Sequence, residues 1–230
     1  MPVPRMVIVA GPSGGGKSSL FPVKLLKNVD PWNNDDYRAR LNGERLGRPQ
    51  PIYTNIPKDI TLQAGAAMER FIEEHIAQRK SFAFETTLRP VTFDQARRAT
   101  ENGFRVEMLF VAAGDVELHI DRVKSRGNGG GHSASEASLR EIYARAMGHL
   151  VTAFQANQRG TIETLGVFHN LPADRSTDLE PPEPLCVAEM VRGNPVVLAN
   201  YAPDWFHSAV RGTQFEFRKL EDRYRDDHER

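Results

Sequence analysis

The stretch Gly11-Pro12-Ser13-Gly14-Gly15-Gly16-Lys17-Ser18 decides the fold of this chain. It matches G-x-x-x-x-G-K-[ST], a loop whose backbone amides surround phosphate groups in nucleotide-binding proteins. The run before it, residues 6–10, is short, apolar and rich in β-branched side chains, which predicts a buried parallel strand. Residues 17–27 carry apolar side chains at roughly helical spacing, which predicts a helix. Strand, glycine loop and helix therefore follow in the order that a P-loop requires.

The chemistry of this loop suggests a role for each of its parts. Its glycines let amide groups turn inward around the β-phosphate of ATP, and the helix after it adds partial positive charge. We expect Lys17 to reach the β- and γ-phosphates and the Ser18 hydroxyl to bind Mg²⁺. The predicted ATP contacts run from Gly11 through Ser19. Pro22 lies about one turn into the predicted helix, where it removes a hydrogen bond and predicts a kink.

Composition limits the compartment and the partners of the chain. The 230 residues carry 30 Lys and Arg against 30 Asp and Glu, so net charge favours neither nucleic acid nor a membrane. The one cysteine, Cys186, excludes an internal disulfide and suits a reducing compartment. No apolar run approaches the roughly 20 residues of a membrane span, and the P-loop begins where the apolar region of a secretory signal would lie. We therefore expect a cytoplasmic enzyme with access to ATP.

Helix and strand patterns alternate after the loop. A helical pattern over residues 59–79 leads into an apolar strand at residues 81–87, and a further helix precedes the strand at residues 105–113. This alternation predicts an α/β fold with a doubly wound parallel sheet of the P-loop kinase type. Several prolines between residues 172 and 184 mark a linker. We expect a kinase core at residues 1–178 and a small C-terminal appendage, packed on the core, at residues 179–230.

Two acidic positions follow predicted strands and are candidates for catalysis. Asp35-Asp36 lies where the second strand of a P-loop kinase ends, so a carboxylate there can face an acceptor hydroxyl. The alternative is a helix N-cap followed by an acid in the first turn. Glu85 ends a strand next to that of the P-loop, where a carboxylate can serve the metal or the substrate. The alternative is a glutamate at the edge of the sheet that caps the next loop.

A glycine-rich segment predicts a mobile lid at about residues 122–140. Arg122 and Arg126 stand one helical turn apart just before Gly127-Asn128-Gly129-Gly130-Gly131-His132. Such a segment can close over phosphates, exclude water and supply positive charge in the transition state. The alternative is a flexible loop after a solvated helix face.

Taken together, these motifs resemble the zeta toxin family, the toxin kinases related to UDP-N-acetylglucosamine kinases. The likeness spans about residues 5–175, and only the P-loop is specific by itself. The other motifs contribute through their order and spacing. They are Asn33-Asn34-Asp35-Asp36-Tyr37, Glu85-Thr86-Thr87-Leu88, Gly103-Phe104-Arg105-Val106, Arg122 to Arg126 with Gly130-Gly131-His132, and Phe168-His169-Asn170.

The resemblance implies an acceptor and the residues that hold it. Such enzymes use Mg²⁺ and ATP to phosphorylate the 3′-hydroxyl of the N-acetylglucosamine moiety of UDP-N-acetylglucosamine, which starves cell-wall synthesis. Asp35 matches the catalytic base that takes the proton from the sugar hydroxyl. Glu85 and Thr87 match positions that hold the aminosugar nucleotide, with Arg89 nearby. An antitoxin protein is the partner that the family implies.

The resemblance also implies roles at the lid, where this chain departs from its relatives. Arg122 and Arg126 resemble the lid arginines that surround the transferring phosphate, and His132 is a candidate for contact with the substrate. Ser133-Ala134-Ser135 replaces the acidic, proline-bearing stretch of bacterial relatives, and Ile142 stands where many of them carry arginine.

Other functions remain open at this point. A kinase of the same fold can act on a nucleoside, an antibiotic hydroxyl or a polynucleotide end, although the balanced charge disfavours a polynucleotide. A GTPase-like switch would need Asn-Lys-x-Asp and Asp-x-x-Gly, which the sequence lacks. Phe82-Ala83-Phe84-Glu85 is a poor match to the metal-binding strand of a motor ATPase. A binding module without turnover is disfavoured because Lys17, Ser18 and Asp35 are all present.

Overall fold

The structure is a computed structural model that describes residues 2–127, 135–171 and 183–228. In these ranges the chain forms strands β1 (Arg5–Ala10), β2 (Asp30–Trp32), β3 (Phe82–Thr86), β4 (Arg105–Ala112), β5 (Thr164–His169), β6 (Leu185–Val191) and β7 (Asn194–Leu198). All of them belong to one sheet with the strand order β2-β3-β1-β4-β5-β6-β7.

The P-loop strand lies inside the parallel part of this sheet. β1 pairs in parallel with β3 on one side and β4 on the other, so that Val7 faces both Ala83 and Glu107 in register. β2 and β5 extend the parallel part outward. This arrangement confirms the predicted α/β class and the parallel sheet of the P-loop kinase type. Because carboxyl ends of parallel strands meet at one edge, the loops after β1, β2, β3 and β4 lie together there.

The helices alternate with the strands along the chain. Their bounds are α1 (Lys17–Leu20), α2 (Asn34–Arg45), α3 (Lys58–Gln78), α4 (Pro90–Glu101), α5 (Val116–Gly127), α6 (Glu136–Gly148), α7 (Leu150–Gln158), α8 (Asp204–Val210) and α9 (Phe217–His228). A short 3₁₀ turn, Val23–Leu25, separates α1 from β2. No helix in the ranges described above is long and apolar enough to cross a membrane.

The helix after the P-loop is shorter than predicted. The sequence predicted one kinked helix over residues 17–27, but α1 ends at Leu20 and Phe21 leaves the helical region with φ −130° and ψ 64°. The residue before a proline avoids the helical conformation, because the proline ring crowds its backbone. Pro22 therefore ends the helix instead of kinking it, and the prediction of a helix to residue 27 was wrong.

The two faces of the sheet are covered unequally. One face packs against α3, α4, α7 and α8 in a large core that contains Ile72, Phe82, Phe110 and Phe154. The opposite face has a small cluster, Val7, Val9, Val23 and Ala83, covered by Phe21 and its neighbours. The large core therefore anchors the strands whose ends carry the P-loop.

The C-terminal residues extend the same sheet and enter the same core. β6 and β7 are antiparallel to their neighbours, and β6 pairs directly with β5. Trp205 and Phe206 are buried in the large core, and the ring of Phe215 stacks on Phe154 with centroids 4.9 Å apart. The division of the chain near residue 179 stays a prediction.

Candidate active site

The P-loop connects β1 to α1 at the carboxyl edge of the sheet. Its backbone requires glycine at both ends: Gly11 has φ +136° and Gly16 has φ +94°, a region that favours glycine. A Cβ on Gly11 would lie 2.1 Å from the carbonyl oxygen of Val111 in β4, and a Cβ on Gly16 would lie 2.0 Å from Asn170 Nδ2. The loop therefore packs directly on the ends of β4 and β5.

Lys17 folds over the loop that precedes it. Its Nζ donates hydrogen bonds to the carbonyl oxygens of Gly11 at 2.9 Å and Pro12 at 3.0 Å. The side chain is half-buried, and its ammonium group lies at the mouth of the loop. A cation in this position is suited to the β- and γ-phosphates of a nucleotide.

The end of β3 reaches the residue after this lysine. Ser18 Oγ donates a hydrogen bond to Glu85 Oε2 at 3.2 Å, and Asn33 Nδ2 donates to Glu85 Oε1 at 3.5 Å. Burial raises the pKa of Glu85, while the charge of Lys17 and the Ser18 hydrogen bond oppose that rise. The carboxylate therefore lies between the P-loop and the next polar loop of the sheet edge.

Ser18 and Glu85 fit a magnesium site. Mg²⁺ prefers oxygen ligands and keeps several waters, so one or two protein ligands suffice when phosphates supply the rest. A hydroxyl and a carboxylate 3.2 Å apart form such a set. No larger cluster of His, Cys, Asp and Glu that could hold a metal occurs among the residues that the structure describes.

The predicted base lies in the first turn of α2. Asn33 caps this helix, since its side chain accepts hydrogen bonds from the amides of Asp35 at 2.9 Å and Asp36 at 3.2 Å. The Asp35 side chain is 63% exposed and forms an ion pair with Arg38, which is 16% exposed. The alternative interpretation of the acidic pair was thus partly correct, because both acids lie in the first turn, but the cap is Asn33.

Asp36 points to a different set of partners. Tyr53 donates its hydroxyl hydrogen to Asp36 Oδ1 at 2.8 Å, and Lys24 Nζ lies 2.6 Å from Asp36 Oδ2. Burial and this hydrogen bond raise the pKa of Tyr53 to about 12. Asp36 therefore ties α2 to the chain after α1 and to the segment between α2 and α3.

One cavity of about 840 Å³ brings most of the predicted site residues together. At one side it is lined by the P-loop and Ser18, and at the other by α2 and the end of β3. The predicted residues that line it are Ser13, Gly14, Gly16, Lys17, Ser18, Asp35, Glu85, Thr87 and Arg89. The other predicted ATP contacts are not among the lining residues: they are Gly11, Pro12, Gly15 and Ser19.

The predicted lid lies partly outside the described residues. Arg122 belongs to α5 and is half-buried. Its charge lowers the pKa of both His119 and His169, so it lies near the histidine that contacts the P-loop. The side chain of Arg126 and the whole of His132 lie outside the described residues. Their predicted contacts with phosphate and substrate stay predictions.

Two residues that contact the P-loop from below were not predicted as site residues. His119 Nδ1 lies 2.9 Å from the carbonyl oxygen of Ser13, and Asn170 Nδ2 donates to the carbonyl oxygen of Gly15 at 3.0 Å. The sequence contained one signal for His119: it falls on the apolar face of α5, three residues after Val116 and four before Val123. A buried histidine on such a face needs polar partners.

Comparison with known proteins identifies the wider family of this site. A family model described as Zeta toxin matches residues 2–172. An uncharacterized protein of Haemophilus influenzae is 25% identical over 140 residues, which cover 60% of this chain and 92% of that protein.

Two groups of solved structures share the fold. The structure described for the PezAT chromosomal toxin-antitoxin system of Streptococcus pneumoniae has a TM-score of 0.58 at 16% identity, and the match covers 100% of this chain and 88% of that chain. The complex AvrRxo1-ORF1:-ORF2, solved with ATP, has a TM-score of 0.63 at 16% identity, with 85% of this chain covered. The chain spans 60% of the length of that second structure.

Proposed function

The chain belongs to the zeta toxin family and is a kinase-type phosphotransferase, and we propose that it phosphorylates a nucleotide-activated aminosugar with ATP. The acceptor we propose is the 3′-hydroxyl of the sugar in UDP-N-acetylglucosamine. The observation that carries this proposal is the single cavity lined by both the P-loop and the first turn of α2. Ser13, Gly14, Gly16, Lys17, Ser18 and Glu85 form what we call its donor end. Asn34, Asp35, Arg38, Thr87 and Arg89 form its acceptor end.

At the donor end, backbone amides and one cation hold the nucleotide. The amides of the P-loop donate to the β-phosphate, and Lys17 shifts from the loop carbonyls toward the β- and γ-phosphates. Ser18 and Glu85 would hold the metal ion, whose charge would offset that of the phosphates. A phosphoryl transfer of this kind depends chiefly on positioning and electrostatic stabilisation.

At the acceptor end, Asp35 orients the hydroxyl that attacks. The Asn33 cap holds the backbone of the first turn of α2, and the exposed Asp35 carboxylate extends from it into the cavity. The carboxylate accepts the hydroxyl proton as the new oxygen–phosphorus bond forms and the bond to the leaving ADP oxygen breaks. Arg38, paired with Asp35, limits the rotation of this carboxylate.

The acceptor end has the chemistry that a sugar nucleotide needs. Arg38 and Arg89 both line the cavity, and guanidinium groups match the geometry of phosphate oxygens. Thr87 offers a hydroxyl for a sugar oxygen, and Asn34 offers an amide. Arg89 and Arg38, the latter paired with Asp35, stand beside neutral polar groups, and this set suits a diphosphate joined to a sugar better than it suits a neutral nucleoside.

The experiment is a panel of acceptors incubated with the chain and Mg-ATP, followed by mass spectrometry. We expect UDP-N-acetylglucosamine to gain one phosphoryl group, free N-acetylglucosamine to react poorly, and the Asp35→Asn variant to form product about 10²- to 10⁴-fold more slowly. Fragmentation of the product locates the phosphate on the sugar ring. If only nucleosides, aminoglycosides or RNA 5′ ends are phosphorylated, the acceptor is one of these molecules and not the aminosugar nucleotide.

We propose further that the chain acts in the cytoplasm, where ATP is supplied, and that an antitoxin neutralises it. The toxin-antitoxin system of the PezAT structure and the family to which this chain belongs support this partner. Expression of the chain alone should arrest growth, and expression of the Asp35→Asn variant should not. Growth arrest that persists in the variant would separate toxicity from the proposed reaction.

A further inference from the structure

His119 lies under the P-loop and uses both of its ring nitrogens there. The residue belongs to α5 and is 2% exposed. Its Nδ1 is 2.9 Å from the carbonyl oxygen of Ser13, and its Nε2 accepts a hydrogen bond of 3.0 Å from the amide of Ala113, at the end of β4. The imidazole therefore bridges the P-loop and the neighbouring strand.

The partners define the protonation state of this ring. A carbonyl oxygen only accepts a hydrogen bond, so Nδ1 carries the hydrogen, and a backbone amide only donates, so Nε2 carries the lone pair. A protonated ring would present a second N–H to the amide of Ala113 and lose that bond. The bridge requires the neutral imidazole with its hydrogen on Nδ1.

The surroundings of the ring favour this neutral form. Burial is the largest cause that lowers the pKa of His119, to about 4, and the charges of Arg122 and Lys17 act in the same direction. Asp115 opposes them, and the Ser13 hydrogen bond does so too. Tyr143 packs edge-on against the ring at 5.0 Å, with its hydroxyl donating to the carbonyl of Gly114 at 2.8 Å.

The bond to Ser13 also sets the direction of the next amide. Peptides of this loop are trans, so the N–H of Gly14 points away from the side to which the Ser13 carbonyl points. The carbonyl faces His119, beneath the loop, and Ser13 and Gly14 line the cavity on the other side. Asn170 holds the Gly15 carbonyl in the same manner, which directs the Gly16 amide.

We propose that His119 is a positioning residue for nucleotide binding, which aims the Gly14 amide at the ATP phosphates by holding the Ser13 carbonyl. This role rests on the proposed use of ATP, but not on the identity of the acceptor. His119 itself touches neither substrate nor metal. It acts through the backbone of the loop, and only in its neutral form.

The proposal has a consequence for pH with a defined sign. The unfolded chain binds a proton at this histidine near pH 6.5, whereas the folded chain does so only near 4. Stability from this group is therefore complete above about pH 6.5 and falls as the pH decreases from there toward 4. Protonation of the folded ring breaks the bridge, so ATP affinity falls only as the pH approaches about 4.

Two conservative variants separate the two bonds of the ring. The amide nitrogen of asparagine can take the place of Nδ1, so His119→Asn keeps the donor to Ser13 and loses the contact with Ala113. The amide oxygen of the longer glutamine can take the place of Nε2 as an acceptor, so His119→Gln keeps the bond from the Ala113 amide and loses the donor to Ser13. A control is His75→Asn, because His75 also bonds to a backbone carbonyl, that of Phe71, far from the loop.

The test combines calorimetry of ATP binding with nitrogen NMR of the imidazole rings. We expect His119→Asn to bind ATP within about threefold of the parent, and His119→Gln and His119→Ala to bind about three- to tenfold more weakly. The parent should lose affinity toward acidic pH, and His119→Asn should not lose it in parallel. The His119 ring should show the hydrogen on Nδ1 down to near pH 4. His75→Asn should bind like the parent.

Three results would overturn the positioning role: a His119 ring that titrates like an exposed histidine, parental affinity in His119→Gln, or equal loss in the two conservative variants. If His119→Ala fails to fold, the comparison of His119→Asn with His119→Gln still tests the positioning role. If the parent itself does not bind ATP, the proposed function fails together with this role. The NMR spectrum then shows separately whether the bridge exists.

Discussion

The donor and acceptor ends of the cavity face each other, but different kinds of atoms build them. At the donor end the binding groups are backbone amides, and buried partners such as His119 hold the loop from below. At the acceptor end the binding groups are side chains, and Asp35 is 63% exposed and paired with its neighbour Arg38. Neighbouring strands limit the backbone conformation of the donor end, whereas the side chains of the acceptor end can adjust to the molecule that they bind.

This difference predicts that substitutions at the two ends will affect separate steps. Changes at the donor end should alter ATP affinity, and changes at the acceptor end should alter turnover or acceptor affinity. Effects add at sites that share no partner, but Glu85 accepts hydrogen bonds from both Ser18 and Asn33, so additivity across the two ends has to be measured. The predictions below test whether the two ends are independent.

The largest effect should come from Asp35→Asn. The amide keeps the size of the carboxylate but cannot take a proton, so turnover should fall by about 10²- to 10⁴-fold. ATP affinity should remain within a few-fold, since the donor end is unchanged. Steady-state kinetics and calorimetry measure the two quantities.

Asp36→Asn is the matched control for this prediction. Asp36 bonds to Tyr53 and Lys24, so its loss should lower stability and leave turnover within about tenfold. If Asp36→Asn is inactive and Asp35→Asn is active, the catalytic base is Asp36 and not Asp35. If both variants are active, Glu85 is the next candidate for the catalytic base.

The next effect in size is that of Lys17→Ala. Charge-assisted hydrogen bonds to phosphate contribute about 1.5–3 kcal/mol, so ATP affinity should fall about 10- to 100-fold. Lys219→Ala is the control, because it removes an exposed lysine in α9 that pairs with Glu216. Unchanged ATP affinity and turnover in Lys17→Ala would contradict the assignment of the P-loop.

Sequence analysis predicted the donor end better than the acceptor end, and the reason is physical. A P-loop motif specifies backbone conformation directly, since positions such as Gly11 accept no side chain. The strand before it followed from its apolar pattern. Asn33, Asn34, Asp35 and Asp36 are all good N-cap residues, so their identities alone could not select the first residue of α2. The length of β2 and the bonds of Asn33 select it.

Two other differences came from tertiary context. A helix was predicted through Pro22 because the apolar spacing continued, but Phe21 cannot stay helical before proline. His119 was missed because a single histidine in an apolar pattern carries no sign of its partners. Of its partners, Ser13 lies in the P-loop, 106 residues away in the sequence, and Ala113 directly follows β4, so the fold was needed to find them.

A moderate effect is expected for Glu85→Gln, which should weaken activity and raise stability. Loss of the carboxylate beside Ser18 should raise the Mg²⁺ concentration for half-maximal activity by about tenfold or more. Burial raises the pKa of Glu85, so folding favours its protonated form. The stability that this preference contributes is present below the pKa of the unfolded chain and is lost as the pH rises through the raised pKa of the folded state. At neutral pH the neutral glutamine should therefore raise the Tm.

Thermal denaturation without Mg²⁺ at neutral and acidic pH checks this sign. The gain in Tm of Glu85→Gln over the parent should shrink as the pH falls, because the parent carboxyl then becomes neutral too. If Glu85 instead serves the acceptor, its variant should raise the KM for the sugar nucleotide and leave the Mg²⁺ requirement unchanged. That outcome would move Glu85 from the donor end to the acceptor end.

The smallest effect is that of Tyr53→Phe, and it tests the comparison most finely. Tyr53 donates one hydrogen bond to Asp36, and the segment that carries it is also held by Asn42, which donates to the carbonyls of Ile52 and Thr54 at 3.1 and 3.0 Å. With a pKa near 12 the phenol stays neutral across the working range, so the effect should not vary with pH. Loss of one bond of this kind should cost about 0.5–1.5 kcal/mol and raise the acceptor KM about two- to tenfold. The KM for ATP should change less than the acceptor KM, because the lost bond joins the segment after α2 to the first turn of α2. An equal rise in both KM values would mean that the first turn of α2 and the P-loop move together, and the two ends would then have to be treated as one site.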